Sequence, residues 1–135
     1  MTTNNDNQAV FVNLSNHPFS KWSYEQMTAA LEIAPVVFDE PFPNIDPSMS
    51  KGEVLTLAYT LLQDILEKYH GRDVHVLVQG EMTFVYWFVW QCDQEWTEGL
   101  RFVRCYAATS ERIKEEVSAG NFKMSFQFNQ FRPYF

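Results

Sequence analysis

Apolar positions in this chain switch period several times, and each switch marks an element. Ala9-Val10-Phe11-Val12-Asn13-Leu14 is a short run of strand formers closed by the polar cluster Ser15-Asn16-His17-Pro18, which predicts a first buried strand. Ser23 with Gln26 three residues later forms a capping-box pattern, and Met27, Ala30, Leu31 and Ala34 follow at helical spacing until Pro35 interrupts. Val36-Val37-Phe38 predicts a second strand, running into a loop from Asp39 to Pro47 that contains three prolines. Ser50 and Glu53 repeat the capping box. Val54, Leu55, Leu57, Ala58, Leu61, Leu62, Ile65 and Leu66 then trace one helical face, with Gly71 as the stop.

Val74 to Val78 predicts a third strand, closed by Gln79-Gly80-Glu81, and Thr83 opens a helix through about Thr97. That helix carries Phe84, Tyr86, Trp87, Phe88, Trp90 and Trp96 around most of its circumference, so one face against a sheet does not cover them all. Leu100 to Ala108 predicts a fourth strand. Thr109-Ser110-Glu111 then reads as the cap of a short helix ending near Gly120. Phe122, Met124, Phe126 and Phe128 alternate with Lys123, Ser125, Gln127 and Asn129, the period of an edge strand with one wet face. Four strand-then-helix units and a last strand predict a single Rossmann-like α/β domain over residues 9–135. Its three layers hold a mostly parallel five-stranded sheet, in order 2-1-3-4-5 with the last strand antiparallel at an edge.

Composition narrows the function classes. With 135 residues, 46% hydrophobic and 20% charged, the chain has room for one core, and residues 1–8 read as a disordered polar tail without a signal pattern. A formal net charge of -7 offers no long-range field for duplex nucleic acid or an anionic membrane, and the longest uncharged apolar stretch, Met82–Cys92, is too short to span one. A soluble cytoplasmic protein is expected. Cys92 and Cys105 lie in apolar stretches without metal or disulfide spacing and read as reduced core thiols. Asp39, Glu40 and Asp46 have no nearby histidine, so no metal is expected, and no G-x-G-x-x-G or G-x-S-x-G exists to support a dinucleotide cofactor or an acyl-transfer elbow. No cofactor is expected.

In open α/β sheets ligands bind outside the carboxyl ends of the strands. That rule collects Asn13, Ser15, Asn16 and His17 after strand one, Asp39 to Asp46 after strand two, Gln79, Gly80, Glu81 and Thr83 after strand three, and Thr109, Ser110, Glu111 and Arg112 after strand four. Helix N-termini begin at the same edge and favour anions, phosphate above all. Each group also has a plain structural use: Ser15 to Pro18 suits a turn, Thr109 and Ser110 suit a cap, and Gly80 either makes a turn or admits a ligand close to the backbone. His70 at a helix end and His75 within a strand read as neither ligands nor bases.

Asn13-Leu14-Ser15-Asn16-His17-Pro18, Trp22-Ser23 with Gln26, Pro41 to Pro47, Gln79 to Thr83, Thr109 to Arg112 and Phe128 to Tyr134 resemble a family of small type III CRISPR-associated accessory proteins. That group is similar to Rossmann-like CRISPR ring nucleases, and the resemblance runs from about Val10 to Tyr134. It includes Phe131-Arg132-Pro133-Tyr134, which fits an F-R-x-Y type signature. The resemblance implies a homodimer that binds a cyclic oligoadenylate across its two-fold axis and opens the ring by metal-independent transesterification. His17, Ser110 and Arg112 would then be catalytic, with Asn13, Ser15, Asn16, Gln79, Gly80, Glu81, Thr83 and Thr109 binding the ligand. A non-catalytic binder of the same messenger and an interaction module built on the aromatic helix are the competing readings. A metal-dependent small-nucleotide hydrolase lacks its ligand set.

Overall fold

Five strands alternate with three helices in the computed structural model, which describes residues 8–135. β1 (Val10–Ser15), β2 (Val36–Pro41), β3 (Val74–Val78), β4 (Val103–Ser118) and β5 (Asn121–Pro133) form one sheet in the order β2-β1-β3-β4-β5. All pairings are parallel except β4 with β5, as the sequence pattern predicts. α1 (Tyr24–Ile33) covers one face, and α2 (Lys51–Lys68) and α3 (Met82–Thr97) cover the other. No helix among the described residues is long and apolar enough to cross a membrane. The expected tail lies outside the described residues up to position 7. Gln8, by contrast, is docked: its carbonyl accepts from Arg72 Nε at 2.6 Å.

The strand period divides the core. Val10, Val12 and Leu14 of β1 and Val74, Val76 and Val78 of β3 face α2 and α3, meeting Ala58, Leu62, Ile65, Phe84 and Phe88. Phe11 and Leu77 point the other way and join Trp22, Ala30, Tyr106 and Phe131 under α1. Cys92 and Cys105 are free thiols in the first layer, and burial pushes the Cys92 thiol well above its usual range. Both helix caps predicted for the first half exist: Ser23 Oγ accepts from Gln26 N, and Ser50 with Glu53 forms a complete reciprocal box.

One predicted element is absent. The segment Thr109–Ser118 is not a capped helix but the outer half of β4, hydrogen-bonded to β5 in a long hairpin that closes at Gly120. Local propensity lost to pairing: a helix of that length is marginal, only Ile113 and Val117 give it an apolar stripe, and β5 needs a partner for its backbone. Gly120 has φ 77°, which serves the hairpin turn rather than a helix end. Smaller corrections follow from pairing too. β2 extends through Asp39, Glu40 and Pro41, whose register with β1 carries the strand into the expected loop, and β4 starts at Val103 rather than Leu100. The hairpin projects beyond the sheet, because β3 pairs with β4 only up to Tyr106. The alternating face of β5 is consequently not buried: Phe122, Met124 and Phe126 remain exposed.

His75, within β3, packs its ring against Phe102 and places Nδ1 2.8 Å from the Tyr106 hydroxyl. Burial lowers its pKa below the usual 6.5, only partly opposed by Asp73, while Arg104 adds to the lowering. Below pH about 6.5 the unfolded chain therefore binds a proton that the folded chain refuses, so acidification removes stability. The expected outcome is a thermal midpoint that falls more steeply between pH 7.5 and 5 in the parent than in His75→Gln. Parallel pH profiles would show that His75 carries none of the acid sensitivity.

Candidate functional site

β1 ends in a buried amide. Asn13 is only 1% exposed, yet its side chain has polar groups that must find partners. Its Nδ2 donates to Asp39 Oδ1 and to the His17 carbonyl, both at 2.8 Å, while its Oδ1 accepts from Ser15 Oγ at 2.7 Å. Asp39 Oδ1 also accepts from Phe19 N at 3.1 Å, and the His17 carbonyl takes a second donor, Trp22 Nε1, at 3.0 Å. These bonds fasten the turn Ser15–Pro18 and the following 3₁₀ turn Phe19–Lys21 onto the ends of β1 and β2. The His17 backbone is fixed, and its side chain is left on the surface.

Beside this turn lies a cavity of about 850 Å³. Its floor is the end of the sheet at Leu77 and Ala108. One wall is Ser15, Asn16 and His17 with Lys21, Trp22, Ser23 and Gln26; another is Gln79 and Gly80; the third is Ser110 with Phe126, Gln127 and Phe128 of the hairpin. It sits where strand order reverses between β1 and β3, the place the topology reserves for a ligand. The first turn of α1 faces it at Ser23 and Gln26, so a helix N-terminus and the Lys21 ammonium both favour an anion on that wall. Glu25 is the opposing charge in the lining.

Of the residues predicted from sequence, Ser15, Asn16, His17, Gln79, Gly80 and Ser110 come together in this cavity. Others do not line it. Asn13 is spent on the internal bonds above. Glu81 caps α3, its carboxylate accepting from Thr83 N at 3.1 Å and Phe84 N at 2.8 Å, and the Phe84 bond foremost lowers its pKa. The amide of Thr83 and the α3 N-terminus are thus already neutralised from within. Thr109 exchanges hydrogen bonds with the Gln130 backbone at 3.1 and 3.2 Å beside a bulge. Arg112 pairs directly opposite Phe126, on the same face of the ribbon but one step beyond the cavity. Lys21 is the cation that sequence reasoning missed. Its only signal was its place between the His17 turn and the Ser23 cap, and nothing local separates it from any solvated lysine.

Gly80 has a structural neighbour. A Cβ there would clash with the Phe42 ring, which packs edge-on against Phe84 at 5.0 Å. The close approach expected of Gly80 is thus, on this side, to an aromatic ring of the protein itself. Among the described residues, no three His, Cys, Asp or Glu side chains gather as a metal site.

Among known proteins, the family model described as the uncharacterized protein MJ1673 family matches residues 9–132. No curated protein and no solved structure matches the chain.

Gly80→Ala is expected to destabilise the fold by about 1–3 kcal/mol through overpacking against Phe42, measured by urea unfolding. Adding Phe42→Leu should recover part of that loss. If Gly80→Ala alone were neutral, Phe42 would be free to move and Gly80 would owe its place to something else.

Proposed function

This chain belongs to the uncharacterized MJ1673 family, and from the cavity between β1, β3 and the hairpin we propose that it is a cytoplasmic, CRISPR-associated protein that binds a cyclic oligoadenylate and opens its ring. The observation that carries the reading is the convergence of His17, Lys21, Ser110 and the first turn of α1 on one cavity at the reversal of strand order. A volume of about 850 Å³ accommodates a ligand of nucleotide size, and Phe126 and Phe128 offer flat apolar faces for bases. A cyclic ligand with two-fold symmetry fits a homodimer in which each copy holds half of the ring.

In the proposed reaction a ribose 2′-hydroxyl attacks its neighbouring phosphorus in line. The bond to the 5′-oxygen breaks, leaving a 2′,3′-cyclic phosphate and a 5′-hydroxyl. His17 takes the 2′-proton as the new bond forms and returns it to the departing 5′-oxygen. Lys21 and the α1 amides stabilise the added negative charge, and Ser110 donates from the opposite wall. Asn16 and Gln79 present amide groups to riboses and base edges. Arg112 acts from outside the cavity, meeting parts of the ligand that extend along the ribbon.

A second reading, a binder that holds the messenger intact, draws support from one feature: no hydrogen bond among the described residues orients the His17 ring.

The decisive assay incubates the protein with cyclic tri-, tetra- and hexa-adenylate in EDTA, with binding and products followed in parallel. The expected result is linear product ending in a 2′,3′-cyclic phosphate. Tight binding of an uncut ring would select the second reading, and no binding to any ring would refute both. His17→Ala should slow cleavage about 10²-fold with affinity nearly unchanged, whereas equal rates would remove His17 from the chemistry. Lys21→Ala should weaken binding and flatten its salt dependence more than Arg112→Ala does; the reverse order would move the phosphate out onto the ribbon.

A further inference from the structure

The hairpin beyond Tyr106 is the least self-sufficient part of the molecule. A two-stranded ribbon alone in water is marginal, yet this one keeps its pairing out to Ser118 and Asn121 while exposing Phe122, Met124 and Phe126, the last by 73%. β5 is also an edge of the sheet, so among the described residues its outer row of backbone groups has no strand beside it. A second copy of the chain offers this edge a strand of the same length and the same alternating pattern.

We propose that the outer edge of β5, from Phe122 to Phe128, pairs antiparallel with the same segment of a second copy about a two-fold axis at Ser125. The sequence of the segment is the reason for this register. About Ser125, Phe128 falls opposite Phe122, Phe126 opposite Met124, and Gln127 opposite Lys123. Apolar side chains meet apolar ones on one face, polar meet polar on the other, and no like charges are opposed. The segment also lies between the two irregularities of the ribbon, at Glu116/Ser118 and Thr109/Ser110, so its edge is straight where pairing needs it.

The other open edge is a poorer choice. Centred on Ile113, β4 would set Arg112 against Lys114 and Glu111 against Glu115; centred on Lys114, it would set that lysine against its own copy. Pairing β4 of one copy with β5 of the next would be heterologous and would not close. The β5 arrangement is isologous, continues one sheet through both copies, and brings the two cavities, each walled by Phe126 and Phe128, to either side of the same axis. It does not depend on what the cavity binds.

The test is oligomeric state by light scattering at micromolar concentration, with a subunit of 15.9 kDa. The parent is expected as a dimer. Replacing Phe122, Met124 and Phe126 with Thr keeps strand propensity, and it should raise the dissociation constant by about 100-fold or more while leaving the circular dichroism of the body intact. Trp90→Gln on the exposed side of α3 should leave the dimer unchanged. Ser125→Cys should be linked to its own copy by a short bis-maleimide, whereas Gln127→Cys should not, since two such residues would stand about 14 Å apart. A monomeric parent, a triple variant that dimerises like the parent, or linking at 127 in preference to 125 would each overturn the proposal.

Discussion

The candidate site rests on one buried amide. Asn13 lies in the core at the carboxyl end of β1, where an unsatisfied polar group would cost about 1–3 kcal/mol, so its hydrogen bonds are obligatory. It satisfies them by joining Asp39 at the end of β2 to the turn that carries His17. Trp22, itself buried between Phe11, Phe19 and Phe131, adds its indole N–H to the same His17 carbonyl. Sheet, turn, α1 and hairpin are thereby tied at a single point. The exposed His17 side chain inherits a fixed origin from a buried network, which is how a surface group obtains a defined position.

The division of labour among polar residues follows from this. Groups close to the strand ends are consumed in building the edge: Asn13 on the turn, Glu81 on the α3 amides, Thr109 on the bulge. Of the polar groups that line the cavity, Ser15 and Ser23 are held by internal bonds, and the side chains of Asn16, His17, Gln79 and Ser110 have no hydrogen-bond partner among the described residues. Lys21 and the α1 terminus face the cavity beside the carboxylate of Glu25, while the α3 terminus is answered by Glu81.

The aromatic residues divide in a similar way. Phe84 and Phe88 fill the core, while Tyr86 and Trp90 on the same helix face outward, as their spread around the helix requires. On the opposite side the aromatic content of β5 serves both the cavity, through Phe126 and Phe128, and the projecting ribbon. A single strand thus links the ligand wall to the surface on which a second copy is proposed to dock.

By itself the sequence determined the three-layer class and the five strands, because periods of 2 and 3.6, capping boxes and prolines are local signals of burial and backbone geometry; the order 2-1-3-4-5 with an antiparallel edge is an expectation that only the pairing of distant strands decided. The sequence also marked His17 and Gln79 at the ends of β1 and β3, whereas Ser110, expected past the end of the fourth strand, lies within β4. Tertiary structure alone decided that Thr109–Ser118 is a strand, for its backbone bonds belong to β5 and no local count registers a distant partner. It likewise decided which polar residues are free. Asn13 and Asn16 read alike in a sequence, and only the burial of one and the exposure of the other separates a structural hub from a group that can meet a ligand.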